Sequence, residues 1–227
     1  MPTVLLLGAT GLVGRHALRA FLDATDAQGA PRWDRIVTLT RRPLPAGDPR
    51  HENHVVDFDR LEEHADLFAC DTLVCALGTT IRQAGSQEAF RRVDLDIPYE
   101  AAQRAVGGGA TQMLLVSSAG ASEQSVFFYS RVKGEVERRV MEVGFETVQI
   151  LRPSLLSGER DEVRVGERVA EGVLRLARPL LRGPLAALRP TPAADVGRAL
   201  AVLAARRPRG IHVHEAAAIR AWARGGA

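Results

Sequence analysis

Tyr129 and Lys133 stand four residues apart in Tyr129-Ser130-Arg131-Val132-Lys133. That spacing puts both side chains on one face of a helix. A phenol with its ordinary pKa near ~10 is a poor acid–base group at neutral pH, and a lysine one turn away would favour the phenolate. Ser117 and Ser118 precede the tyrosine by 12 and 11 residues, at the end of the apolar run Met113–Ser117. A hydroxyl there could hold and polarise a substrate carbonyl, and either serine is placed for it. The chemistry implied is proton transfer to or from a carbonyl or alcohol oxygen.

A second constellation lies at the start of the chain. The apolar run Val4–Leu7 leads straight into Gly8-Ala9-Thr10-Gly11-Leu12-Val13-Gly14, a G-x-x-G-x-x-G spacing. Glycines at these positions permit a tight turn, close backbone approach to a pyrophosphate, and helix-on-strand packing. The amides opening the following helix then face the phosphates. The strand–turn–helix context makes this a dinucleotide signature rather than a chance triplet. After the next apolar run comes Thr40-Arg41-Arg42-Pro43, where a site for the 2′-hydroxyl would carry an acid. Arg41 and Arg42 suit a 2′-phosphate through charge-assisted contacts, so NADP(H) is preferred over NAD(H). Asp57 is placed to meet the adenine edge.

The elements that must position these groups alternate along the first two thirds of the chain. Strands are expected over Val4–Leu7, Arg35–Thr40, His54–Asp57, Asp71–Ala76, Met113–Ser117 and Glu146–Leu151. Helices are expected over Val13–Ala24, Gln87–Val106 with Pro98 as an interruption, and Phe128–Val143. Short apolar strands separated by helices imply an α/β, Rossmann-type doubly wound parallel sheet covered on both faces. After Leu151 prolines punctuate the pattern, with helices expected over Gly166–Arg178 and Ala193–Ala205. Residues 1–227 read as one domain, with 152–227 contributing a small C-terminal, substrate-side cap.

The 227 residues are 46% hydrophobic, enough for one sizeable core. Thirty basic residues nearly balance 27 acidic ones, and aromatics are only 5%. No basic stripe with interleaved aromatics appears, which argues against nucleic-acid binding. Neither a signal peptide nor an apolar run of membrane-spanning length is visible, so a cytoplasmic protein without a membrane role is expected. Cys70 and Cys75 lack metal-ligand company and read as reduced packing residues.

Other candidates have plainer readings. His212-Val213-His214 alternates as a strand would, with both imidazoles on one face, and reads as surface histidines rather than a metal site. Asp195 falls in the first turn of a helix as a dipole partner. Glu135, Glu137, Arg138 and Arg139 read as a solvated helical face. No metal site is expected.

Taken together, these segments resemble an atypical short-chain dehydrogenase/reductase, and within it the Tat-interacting-protein branch. The resemblance rests on GATGLVGR at Gly8–Arg15, Arg41-Arg42 and CALGTT at Cys75–Thr80. It continues through FRRVD at Phe90–Asp94, SSAGA at Ser117–Ala121, FFYSRVKGEVE at Phe127–Glu137 and LRPSLLSGER at Leu151–Arg160. It implies cofactor contacts from Thr10, Gly11, Leu12 and Val13, with Arg41 and Arg42 on the 2′-phosphate. It implies that Leu77 and Gly78 line the adenosine–ribose passage, and that Leu156 and Arg164 close over the nicotinamide end. Tyr129 and Lys133 would be the catalytic pair, also touching the nicotinamide ribose, with Ser118 matching the family register and Ser117 the tyrosine spacing. The chain departs from the family pattern at Asp94, where many active members carry an asparagine. It departs again at Ala76-Leu77-Gly78, which replaces an Asn-Asn-Ala-Gly segment.

Two classes of function follow. One is an NADPH-dependent oxidoreductase acting on a small carbonyl or alcohol, as a monomer or homodimer. The other is a non-catalytic NADP(H)-binding sensor or scaffold.

Overall fold

The computed structural model describes residues 2–45, 47–158 and 189–225. Seven strands form one wholly parallel sheet: β1 (Thr3–Leu7), β2 (Arg35–Thr40), β3 (His51–Val55), β4 (Thr72–Cys75), β5 (Gln112–Val116), β6 (Thr147–Arg152) and β9 (Gly210–Glu215). Their spatial order is β3-β2-β1-β4-β5-β6-β9, which reverses direction between β1 and β4. A crevice forms at the carboxyl ends of the strands beside such a switch point. The Rossmann-type doubly wound parallel sheet read from the sequence is therefore observed.

Alternation within each strand divides the core into two layers. Leu5, Leu7, Leu73, Cys75, Met113, Leu115, Val148 and Ile150 face α4 (Ile97–Gly107) and α5 (Phe128–Met141). Val4, Leu6, Val74, Leu114, Val116 and Leu151 face α1 (Leu12–Asp23) and α6 (Ala193–Arg206). The two helices of that second layer approach so closely at Gly197 that a Cβ there would lie 2.6 Å from the carbonyl carbon of His16.

Several expected boundaries shift. The third strand starts at His51, not His54, and Asp57 lies two residues beyond its end. β3 is an edge strand whose polar residues bond sideways, so it lacks the apolar run by which strands are recognised. Asn53 donates to the Thr38 and Thr40 hydroxyls at 2.9 Å each, and Glu52 pairs with Arg35. The stretch expected as one interrupted helix is continuous in a different way. Helix α3 (Gln87–Arg91) runs into a wide π-turn over Arg92–Asp96, then into α4. Pro98 is the second residue of α4, directly after that wide turn, so the α-helical ladder is irregular just ahead of the residue expected to interrupt it, though the chain stays helical throughout.

Part of the stretch expected as a cap completes the sandwich. α6 packs on α1, β9 extends the sheet past β6, and α7 (Ala216–Ala223) follows it. Nearer the crevice, β7 (Leu156–Ser157) and β8 (Thr191–Pro192) form a separate two-stranded ribbon. The helix expected over 166–178 lies outside the described residues. No helix among the described residues is long and apolar enough to cross a membrane.

Candidate functional site

The glycine turn joins β1 to α1 at the switch point. Gly8 adopts φ +88°, and a Cβ there would strike the Ala76 backbone at 2.6 Å, so only glycine lets β1 turn beside β4. Gly11 N–H donates to the Gly8 carbonyl at 2.9 Å and caps α1 without any side-chain acceptor. The first turn of α1 carries no acidic residue. Its opening amides and positive dipole end therefore have no carboxylate competitor, which suits an anionic group. Thr10 and Gly11 are exposed, Leu12 is half-buried, and Val13 and Gly14 are buried.

Arg41 and Arg42 follow β2 and are both exposed. No ion pair or hydrogen bond engages either one among the described residues. Asp57 is exposed too, and its Oδ1 accepts from the Asp59 amide at 2.9 Å. Leu77 packs against the core layer beneath α4 and α5, while Gly78 is exposed. Leu156 lies half-buried on the ribbon, packed with Leu12 against the opposite layer. A Cβ on Gly158 would come 3.1 Å from the Leu12 side chain, so the ribbon's end lies against the glycine turn. Arg164 lies outside the described residues.

Tyr129 and Lys133 lie on α5 with the spacing read from the sequence. The Tyr129 ring is part-exposed and packs on Phe90 at 5.6 Å between centroids. Ser117 and Ser118 follow the last residue of β5 directly. Both hydroxyl oxygens are buried, and no group among the described residues bonds either one. Two adjacent buried hydroxyls without a partner, both just past the end of a central strand, call for an acceptor or donor from outside the described residues. A substrate oxygen is the kind of group that would satisfy them. Together with the uncapped glycine turn, they make the described residues a fit for a dinucleotide and its substrate.

The sequence did not reveal how Lys133 is held. Its Nζ lies 2.7 Å from Asp94 Oδ1, and the two side chains are 5% and 0% exposed. Asp94 Oδ2 accepts from the Thr79 amide at 2.9 Å, tying the lysine to the turn after β4. Burial works against the ammonium, but the adjacent Asp94 carboxylate outweighs it and holds the Lys133 pKa above the usual lysine value. Gly134 was likewise missed. A Cβ there would lie 2.3 Å from Ser122 and Glu123 backbone atoms, so the loop before α5 crosses the helix directly behind Lys133.

Three side-chain readings change. Glu137 is not solvated: it is 3% exposed and grips Arg152 of β6 through bonds of 3.0 and 2.5 Å. Glu135 bridges Arg91 and Arg139, while Arg138 pairs with Glu123 and Glu142 at the surface. His212 and His214 do share a face, stacked at 6.3 Å, but His214 is buried rather than at the surface. It accepts at Nδ1 from the Trp222 indole at 3.3 Å, so Nε2 carries the proton donated to Gln149 Oε1 at 2.7 Å. The strand pattern showed the shared face, but only α7 folding back brings the Trp222 that covers it.

Asp195 lies in the first turn of α6, as expected, and pairs with Arg198. Cys70 and Cys75 are free and buried, and burial pushes their thiols up to about 12 and about 11. No metal-ligating cluster occurs among the described residues.

A parallel sheet in this order, with a glycine turn at its switch point and a Tyr-x-x-x-Lys helix beside it, defines a Rossmann-fold protein. No family model matches the chain. Protein HTATIP2 of Rattus norvegicus is 38% identical over 172 residues, covering 74% of this chain and 68% of that protein. "Protein FMP52, mitochondrial" of Candida albicans is 34% identical over 204 residues, covering 85% and 83%. The chain belongs to the family of these proteins, HTATIP2 and FMP52, the branch that its motifs resemble.

Among solved structures, MoeE5 in complex with UDP-glucose and NAD superposes with a TM-score of 0.67 at 22% identity, over 93% of this chain and 74% of that one. A putative NAD-dependent epimerase/dehydratase from Bacillus halodurans gives 0.61 at 17%, over 97% and 99%. At such identities the likeness is one of fold.

The cytoplasmic expectation is overturned by the family comparison, because the FMP52 relatives are named as mitochondrial proteins. The expectation rested on the lack of a visible signal peptide and of a membrane-spanning apolar run, and neither observation speaks to a mitochondrial address; the apolar run at Val4–Leu7 is the interior of β1. A core strand carries no address.

Proposed function

We propose that the protein is an NADP(H)-dependent oxidoreductase that interconverts a small carbonyl compound and its alcohol. The observation that carries this reading is the convergence on one sheet end of the uncapped glycine turn, the Tyr129–Lys133 pair and the unsatisfied hydroxyls of Ser117 and Ser118. Gly8, Thr10, Gly11, Leu12, Val13 and Gly14 would seat the pyrophosphate. Arg41 and Arg42, without an ion pair among the described residues, would take the 2′-phosphate, and Asp57 the adenine edge. Leu77, Gly78, Leu156 and Arg164 would border the rest of the cofactor. The dinucleotide, when bound, supplies or accepts the hydride. Tyr129 gives or takes the proton at its phenolic oxygen, Lys133 orients the ribose beside it, and Ser118 or Ser117 holds the reacting oxygen by donating a hydrogen bond. The partners in this reading are a small-molecule substrate and at most a second copy of the chain, with no nucleic acid or membrane.

A second reading is a sensor or scaffold that binds the nucleotide without turnover. It is favoured by Asp94, which already occupies Lys133. Titration with NADPH and NADH, followed by a broad carbonyl panel, separates the two. Binding with turnover that Tyr129→Phe abolishes supports the enzyme; binding without NADPH consumption supports the sensor. Failure to bind either nucleotide would sink both.

A further inference from the structure

We infer that Asp94 is a positioning residue that cancels the charge by which Lys133 would draw the proton off Tyr129, so that the tyrosine enters the reaction as the protonated acid. The inference rests on the reading of Tyr129 as the proton-transfer group. It starts from the geometry of the Asp94–Lys133 pair: two opposite charges 2.7 Å apart, both out of contact with water, one turn of α5 below the phenol.

A lone ammonium at Lys133, which Tyr129 faces from the same helix, would stabilise the phenolate. A carboxylate in contact with the same ammonium makes the pair a dipole, whose field at Tyr129 is much weaker than that of one charge. Asp94 cannot swing away to restore the full charge, because its other oxygen is held by the Thr79 amide. The wide turn over Arg92–Asp96 is what brings it under α5, and such turns often mark functional positions.

Among the described residues, the remaining surroundings do not replace the cancelled charge. Besides Asp94, the titratable groups facing Lys133 are Tyr129 from its own helix and the Cys75 thiol from β4, whose pKa is pushed up to about 11 by burial. From α3, Arg91 is already paired through two bonds with Glu135. Gly78, from the turn after β4, adds no side chain: a Cβ there would sit 3.6 Å from Asp94 Oδ1 and 4.0 Å from Lys133 Nζ.

The test needs neither substrate nor cofactor. The chain has two tyrosines, so Tyr99→Phe leaves Tyr129 as the sole phenol to titrate by phenolate absorbance, with circular dichroism following the fold across the titration. In that background Asp94→Asn should lower the midpoint by about one pH unit, the effect of a unit charge several ångströms away at an effective dielectric near ~20. Lys133→Met should raise it by a similar amount, and the double replacement should return it close to the parent. Should Asp94→Asn not fold, Lys133→Met against the double replacement still decides, because removing both charges leaves none buried unpaired. A midpoint unmoved or raised by Asp94→Asn, or a double replacement displaced as far as Lys133→Met, would overturn the inference. NADPH titration of the same proteins tests the underlying reading separately. Binding with immobile midpoints defeats only the charge cancellation; midpoints that move as expected without binding leave it standing and defeat the proposed function.

Discussion

The carbonyl oxygen of Gly8 lies where a side chain on Gly14 would have to go: a Cβ there would be only 1.9 Å from it. The first helix therefore sits directly on the turn that precedes it. Gly14→Ala is expected to push the start of α1 off the turn, lowering the melting temperature and removing most of the affinity for NADPH. Calorimetric titration checks it, and parental affinity in a folded Gly14→Ala protein would contradict the cradle assigned to this turn.

Arg41 and Arg42 are exposed and carry no ion pair among the described residues, so their replacement should be felt by the ligand more than by the fold. Arg41→Gln with Arg42→Gln should weaken NADPH binding by about tenfold to a hundredfold, the range for losing charge-assisted hydrogen bonds. NADH binding should change little. An equal loss for both nucleotides would remove the 2′-phosphate role.

Glu137→Ala would strand Arg152 inside the joint between α5 and β6. Breaking a buried pair costs about 3–5 kcal/mol, and the lower end applies because Arg152 keeps some access to water and a second carboxylate, Glu215. A loss of about 3 kcal/mol in urea unfolding is expected. A loss below about 1 kcal/mol, the range of surface pairs, would restore Glu137 to the solvated face first expected for it.

His214 and His51 are both held below the usual histidine range, by burial in each case; the His212 charge adds to it for His214, while Asp48 partly opposes it for His51. Their unfolded forms bind protons more readily than their folded forms. The stability they contribute is complete above the unfolded value near ~6.5 and is lost as pH falls from there through the lowered folded value. Melting temperature should therefore fall between neutral pH and about pH 5. Part of that fall should vanish in His214→Gln, where protonation can no longer disrupt the Trp222 bond. An acid sensitivity identical in parent and variant would count against this.

The chemistry-bearing residues were legible because local spacing alone fixes their relations. Three glycines at set intervals make a turn whatever surrounds them, and residues four apart share a helix face. Apolar runs of four to six residues gave the interior strands, since strands buried on both faces must be apolar throughout. The polar edge strand β3 escaped that rule, its hydrogen bonds being satisfied by neighbours in space.

What the chain alone determined is the fold class, the glycine turn and the shared helix of Tyr129 and Lys133, all consequences of periodicity and of short-range sterics. Only the tertiary structure decided the fates of the charges. Asp94 meets Lys133 from 39 positions away, Glu137 meets Arg152 across a helix–sheet joint, and Trp222 covers His214 from the last helix. The physical reason is that an ion pair or buried hydrogen bond depends on distance and desolvation. Neither quantity exists until separate elements are packed together.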